Sequence, residues 1–370
     1  MNKLLHRCIC VLPRTSIASI GLAFSMLVTG TIAAEENVTF EDERGKVRQV
    51  TARALLEAKD GGMLLITDEG QIHIVQPKQI QKRVSDDKDL KPIDGDEMTR
   101  RLKLEMPSQF AVYRTDHFIL CHNASPRYVR LVGQLFEQLY RGFFSYWKKQ
   151  GMDLQEPKFP LVAIVMRDRQ SFDAYATADA GKGTQNVFGY YNQKTNRMVT
   201  YDVPNVERAV ATLVHEATHQ LLYNTGVQKR YADNPKWVSE GLAIFFESPD
   251  FSSRTGWKNV GRVNQVNLRR FQHYAINSRR YDSLATLIGD DERFSNSSTV
   301  EAAYGEAWAL NYFLLRVKSD EYLAYLKTLS EQPLLKTLGK RERIEAFQEA
   351  MGMDLASLDR QFINYMRRVR

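Results

Sequence analysis

Three side chains in the stretch VHEATHQLL, residues 214–222, have the types and spacing of a metal site: His215 and His219 stand four residues apart, and Glu216 follows the first directly. On a helix, positions i and i+4 project from one face about one turn apart, so both imidazoles can reach a single ion. Zinc takes nitrogen, sulfur or oxygen ligands in a tetrahedral array, and a catalytic site keeps one position open for water. A third protein ligand must therefore arrive from elsewhere. Glu216, beside the ion, supplies a carboxylate able to take a proton from that water and deliver it to a leaving amine.

The surrounding pattern predicts the helix this geometry needs. Asn205 is a suitable N-cap, an apolar stripe runs through Val206, Val210, Leu213, Val214, Ala217 and Leu221, and the helix should stop near Gly226 in a left-handed cap. A second helix is expected in DNPKWVSEGLAIFFES, with Asn234 as N-cap and Pro235 at its first position. Within it Glu240 interrupts an apolar run from Trp237 to Phe246. A carboxylate buried there is costly unless paired or bound to a cation, which makes Glu240 the candidate third ligand. Gly241 beside it suggests close approach of a neighbouring helix, with the short link between the two helices bringing Glu240 toward the histidines.

HEATH, with Glu240 in WVSEGLA 21 residues after the second histidine, resembles the motif of the gluzincin metallopeptidases. The resemblance is closest to a bacterial family of exported peptidase-like proteins of that clan, and extends from about Tyr113 to the last helix. It implies Zn2+ held by His215, His219 and Glu240, Glu216 as general base, and a thermolysin-like zincin domain in which substrate lies along an edge strand beside the active-site helix. The hairpin around Tyr190 and Arg197 is the candidate for that edge. One departure stands out: some gluzincins carry an aspartate four residues after the ligand glutamate to support a histidine, and here that position is Ile244. Another group must orient the imidazoles. As donor to a developing oxyanion, Tyr304 is the candidate, against the alternative of a core tyrosine packed with Trp308; Tyr190 and Tyr191 are weaker. His73, His117, His122 and His273 have no partner at metal-ligand spacing and read as structural or surface residues.

The rest of the chain sets the architecture. Of 370 residues, 43% are hydrophobic and 26% charged, a globular composition. Residues 1–34 carry Lys3, Arg7 and Arg14, no acid, an apolar run from Ile17 to Ile32 and then Ala33 and Ala34, the pattern of a secretory signal peptide; an uncleaved anchor is the alternative. Its removal lowers the formal net charge from +7 to +4, too little for a dedicated nucleic-acid binder. Cys8 and Cys10 leave with it, so Cys121 alone remains and no intrachain disulfide is expected. Residues 35–80 read as a small β module, with strands in QVTARALLEAK, MLLIT and QIHIV, and residues 81–104 as a charged linker. Residues 105–370 place mixed strands first and helices afterwards, an α+β domain.

The expectation is thus an exported, periplasmic or extracellular zinc-dependent hydrolase of peptides, with no nucleic-acid partner and no stable membrane span after signal cleavage. Two alternatives stay open: an envelope binding protein that keeps the metal without turnover, and a zinc amidase acting on envelope polymers. Cys121 as a thiolate ligand lies almost a hundred residues from the motif and is set aside.

Overall fold

The computed structural model describes residues 34–181, 187–203, 206–247 and 260–370. The expected signal peptide, but for Ala34, and the expected cap at Asn205 lie outside the described residues. The chain forms a small β module followed by a mixed α+β part that ends in helices. Among the described residues no helix is long and apolar enough to cross a membrane.

Five antiparallel strands build the module: β1 (Ala34–Glu41), β2 (Val47–Glu57), β3 (Met63–Thr67), β4 (Ile72–Val75) and β5 (Ile80–Asp89), in the order β4-β3-β2-β1-β5. Period-2 alternation divides the apolar residues between two faces. One face collects Val38, Phe40, Ala52, Ala54, Met63, Leu65 and Val75. The other presents Leu64, Ile66 and Ile72 to Phe159, Tyr231, Leu334 and Leu335 of the main domain.

The stretch expected to be a charged linker is structured. Residues 80–89 are β5, paired with β1, and Gly95–Glu105 form helix α1, capped by Asp94, whose side chain accepts from the Asp96 and Glu97 amides. The charges that suggested a linker are used in pairs. Arg83 reaches Glu36 and Glu57 across the sheet at 2.8 and 3.0 Å, and Arg101 reaches Asp68 and Glu69, both at 2.7 Å.

The second sheet contains β6 (Ala111–Arg114), β7 (Phe118–His122), β8 (Leu161–Met166), β9 (Gly189–Asn192) and β10 (Arg197–Tyr201), in the order β6-β7-β8-β10-β9. The inner strands β7, β8 and β10 are parallel, with helices α2 (Pro126–Lys149) and α3 (Arg169–Ala180) in their connections. The hairpin partner β9 is antiparallel and terminal. Helix α4 (Val206–Asn224) packs on β9, β10 and α2, with Val210, Leu213, Val214, Ala217 and Leu221 buried as the stripe requires. Gly226 follows it with φ +88°, the expected left-handed stop.

Helix α5 (Lys236–Phe246) starts one residue later than expected, with Pro235 as the cap. The Asn234 amide turns back to donate to Lys229 O and Ala232 O, while Asp291 supplies the acceptor for the Lys236 amide at 2.9 Å. A distant carboxylate has taken the role that local sequence assigned to Asn234. Trp237 stacks on Tyr322 and Tyr325 and meets Phe347 edge-on, seating the first turn of α5.

The remaining elements are α6 (Gln265–Asn277), α7 (Ser283–Gly289), α8 (Glu292–Ser295), α9 (Val300–Val317), α10 (Ser319–Ser330), α11 (Lys340–Met351) and α12 (Leu355–Met366). The close approach at Gly241 is to α9, not to the helix of the histidines. A Cβ there would fall 2.6 Å from Ala307 O and closer still to the Asn311 amide, which itself donates to Trp237 O and Ala307 O. Gly241→Ala is therefore expected to destabilise the protein by about 1–3 kcal/mol through overpacking. Urea unfolding checks this, and an unchanged midpoint would refute the contact.

Candidate metal centre

Successive residues of a helix are turned about 100° from one another. While Gly241 faces α9, Glu240 is thereby free to face α4, which packs against α5. There its carboxylate meets the two imidazoles. Glu240 Oε2 lies 3.1 Å from His215 Nε2, the two Nε2 atoms are 3.1 Å apart, and His219 Nε2 is 3.7 Å from Glu240 Oε2. All three residues are buried, and together they form a group that could hold a metal ion.

The way each ring is turned fits a ligand set, with both Nε2 atoms directed at the Glu240 carboxylate. The second nitrogen of His215, Nδ1, lies 3.2 Å from Glu247 Oε2. With Nδ1 turned to that carboxylate, Nε2 is the His215 nitrogen left to face Glu240 and His219, and so the one available to a metal. Burial pushes the His219 imidazole below its ordinary pKa, toward the neutral form, against the pull of Glu240. At Glu240 burial favours the neutral acid, but the two imidazoles outweigh it and hold the carboxyl well below the usual carboxylate range. Two imidazoles and a carboxylate converging on one point are a ligand set for a divalent cation.

Glu247 is the orienting group that Ile244 cannot be, and sequence reasoning missed it. It caps the C-terminal end of α5, seven residues after Glu240, which is two helical turns and hence the same face. That spacing is the signal that marks it. Metal-ligating histidines usually donate their other nitrogen to such a partner, and its loss typically costs 10–100-fold in affinity. Glu247→Ala is expected to weaken metal binding by about that factor. Competition with a chromophoric chelator measures it, and an unchanged affinity would leave Glu247 without this role.

Glu216 is fully buried, and its Oε2 accepts from the backbone amide of Tyr191 on β9 at 2.8 Å. The terminal strand of the sheet thus touches the candidate base directly. Tyr191 also donates its hydroxyl to Asn196 at 2.6 Å, while the Tyr190 hydroxyl donates to Asp179 on α3 at 2.9 Å. Arg197 lies on β10, one strand in from the edge, where it pairs with Glu105.

Tyr304 is on α9 with its ring edge-on to Phe294. It is partly buried and packed against the main core, to which Trp308, tilted on Tyr312, also belongs, so the core-tyrosine alternative stays open. Three of the other histidines, His73, His117 and His122, have structural partners, while His273 lies on α6 outside the ligand group. His73 is edge-on to Phe40, His117 bonds Glu137 and stacks on Tyr140, and His122 bonds Ala124 O. Cys121 is buried in β7, where burial pushes its thiol up to about 11, so a thiolate is disfavoured near neutral pH.

A family model described as "Protein of unknown function (DUF1570)" matches residues 209–336, less than half of the chain. The matched segment contains His215, Glu216, His219, Glu240, Glu247 and Tyr304. No curated protein matches the chain.

Proposed function

We propose that the protein is an exported zinc-dependent metallopeptidase of gluzincin type with a thermolysin-like catalytic domain, His215, His219 and Glu240 holding Zn2+ and Glu216 serving as general base. The observation that carries this reading is the triangle of ligand atoms. Zinc bonded at roughly 2.0–2.1 Å to nitrogen and oxygen in a tetrahedron sets those atoms about 3.3–3.4 Å apart. The separations here are 3.1, 3.1 and 3.7 Å. Calcium, which takes about six to eight oxygen ligands, does not suit two imidazoles.

Zinc bound there would lower the pKa of water toward neutrality and polarise a scissile carbonyl. Glu216, held in one orientation by the Tyr191 amide, takes the proton from the attacking water and gives it to the leaving nitrogen as the C–N bond breaks. A peptide would lie along terminal strand β9 as an added strand, beside that carboxylate. Tyr304 stays the candidate donor to the developing oxyanion.

A binding protein that keeps the metal without turnover is the second reading, and one observation favours it: His215, Glu216, His219 and Glu240 are all 3% exposed or less. Metal analysis of the purified chain, paired with digestion of a broad peptide library and of envelope-polymer amides, separates the readings. Zinc with peptide cleavage supports the peptidase. Zinc with cleavage of envelope amides alone supports an amidase, zinc with neither supports the binding protein, and a chain that takes up no zinc ends all three.

A further inference from the structure

We propose that Arg230 is a positioning residue for Glu216, acting by tying the N-terminal β module to the turn that carries β9. This rests on the reading of Glu216 as the base. Arg230 lies in the link between α4 and α5 and is only 8% exposed. Its Nη1 donates to Gly70 O in the β3–β4 turn of the module at 2.7 Å and to Gln193 O in the β9–β10 turn at 3.1 Å. Beside this bridge, the Ile72 amide of β4 donates to Lys194 O at 2.7 Å. Two consecutive carbonyls of the β9–β10 turn are thus held from the module side.

The opposite side of that turn is fastened to the helix of the candidate metal site. Gln220 on α4 donates to Asn196 O at 2.9 Å, and the Asn196 and Asn224 side chains bond each other. Arg197, the next residue, pairs with Glu105 and with Glu69 of the module. The turn is clamped between module and α4. From it β9 runs back two residues to Tyr191, whose amide holds Glu216 Oε2.

Arg230 is an expensive way to make a merely structural contact. Both of its acceptors are neutral carbonyls, no carboxylate pairs with it among the described residues, and burial drives its pKa downward. A buried cation without a counter-ion costs far more than an apolar residue of its size. The same docking surface holds two non-glycine residues in the left-handed region, Tyr231 at φ +63° and Leu335 at φ +60°, joined by a Leu335 N–H to Tyr231 O bond of 2.7 Å. Backbone strain of this kind persists where surrounding contacts over-determine the conformation. The module is therefore seated as part of the metal domain, against the turn that sets the position of β9.

The test uses the full mature chain with Arg230→Met and Arg230→Lys, followed by amide hydrogen exchange, zinc stoichiometry and separate kcat and KM. In Arg230→Met, exchange across residues 189–192 should rise by about tenfold or more. The segment of α4 around His215 and His219 should stay protected, with zinc bound as in the wild type. Turnover should lose kcat with little change in KM, and Arg230→Lys should recover part of both effects. Unchanged exchange in β9, or a uniform rise through the whole chain, overturns the proposal. If Arg230→Met does not fold, Arg230→Lys is judged against wild type by the same exchange criteria. A wild type without turnover refutes the peptidase reading, while the exchange result still decides whether Arg230 sets β9.

Discussion

Glu216→Gln is expected to reduce peptide turnover by about 10²–10⁴-fold, the contribution of a positioned general base, with zinc still bound at wild-type stoichiometry. Glutamine is the informative replacement because its side-chain carbonyl can still accept from the Tyr191 amide, which bonds Glu216 Oε2 in the wild type. The anchor to β9 then survives while the proton acceptor is lost. Glu216→Ala removes both, so it should show the same kinetic loss together with faster amide exchange at Tyr191. Stopped-time peptide assays with parallel metal analysis give the two numbers. A Gln variant that keeps more than about a tenth of wild-type turnover would rule out Glu216 as the base.

Glu240→Ala is expected to lower zinc affinity by at least about 10²-fold, because zinc held by four protein ligands binds with roughly 10–16 kcal/mol, about 2.5–4 per ligand, and this site has only three protein ligands to begin with. The consequence is visible in stability. An ion that binds only the folded state at a thousand times its Kd stabilises by about 4 kcal/mol, so chelation should lower the melting temperature of the wild type and leave that of Glu240→Ala nearly unmoved. The variant also loses the carboxylate that faces His215 and His219 in the buried cluster, and its melting temperature should match that of the chelated wild type more closely than that of the zinc-loaded protein. Calorimetric scans with and without chelator settle this. A chelator response equal in the two proteins would place the stabilising ion elsewhere.

The chemistry-bearing residues were legible because their signals are local. A four-residue spacing on an apolar helix puts two imidazoles on one face, and an acid inside the run from Trp237 to Phe246 announces a buried partner. The structure brings His215, His219 and Glu240 together, as that pattern expects. What escaped depends on distant segments. Asn234 lost its cap to Asp291, 55 residues ahead of Lys236. The tight packing at Gly241 is with Ala307 and Asn311 of α9, which no window around Gly241 reveals.

Charge misled where ion pairs are made in space. Arg83 and Arg101 read as linker composition, yet their carboxylate partners sit on neighbouring strands and turns of the module. Strand β1 escaped for a related reason, since AEENVTFE carries few apolar residues and gains its place by pairing on both sides, with β2 and β5. Glu247 was readable in principle from its two-turn spacing to Glu240, but only once a helix was known to run from Lys236 to Phe246 with that face toward α4. Packing of the module through Leu64, Ile66 and Ile72 onto the main domain has no sequence signature at all, because apolar strand faces look the same whether they meet a second sheet, a helix or a loop.

The most direct test is diffraction from zinc-soaked crystals, collected on both sides of the zinc absorption edge. The account predicts one strong anomalous peak within bonding distance of His215 Nε2, His219 Nε2 and the Glu240 carboxylate, with Glu247 still on His215 Nδ1. A map at saturating zinc with no peak there, or with the Glu240 side chain turned away from both rings, would contradict it.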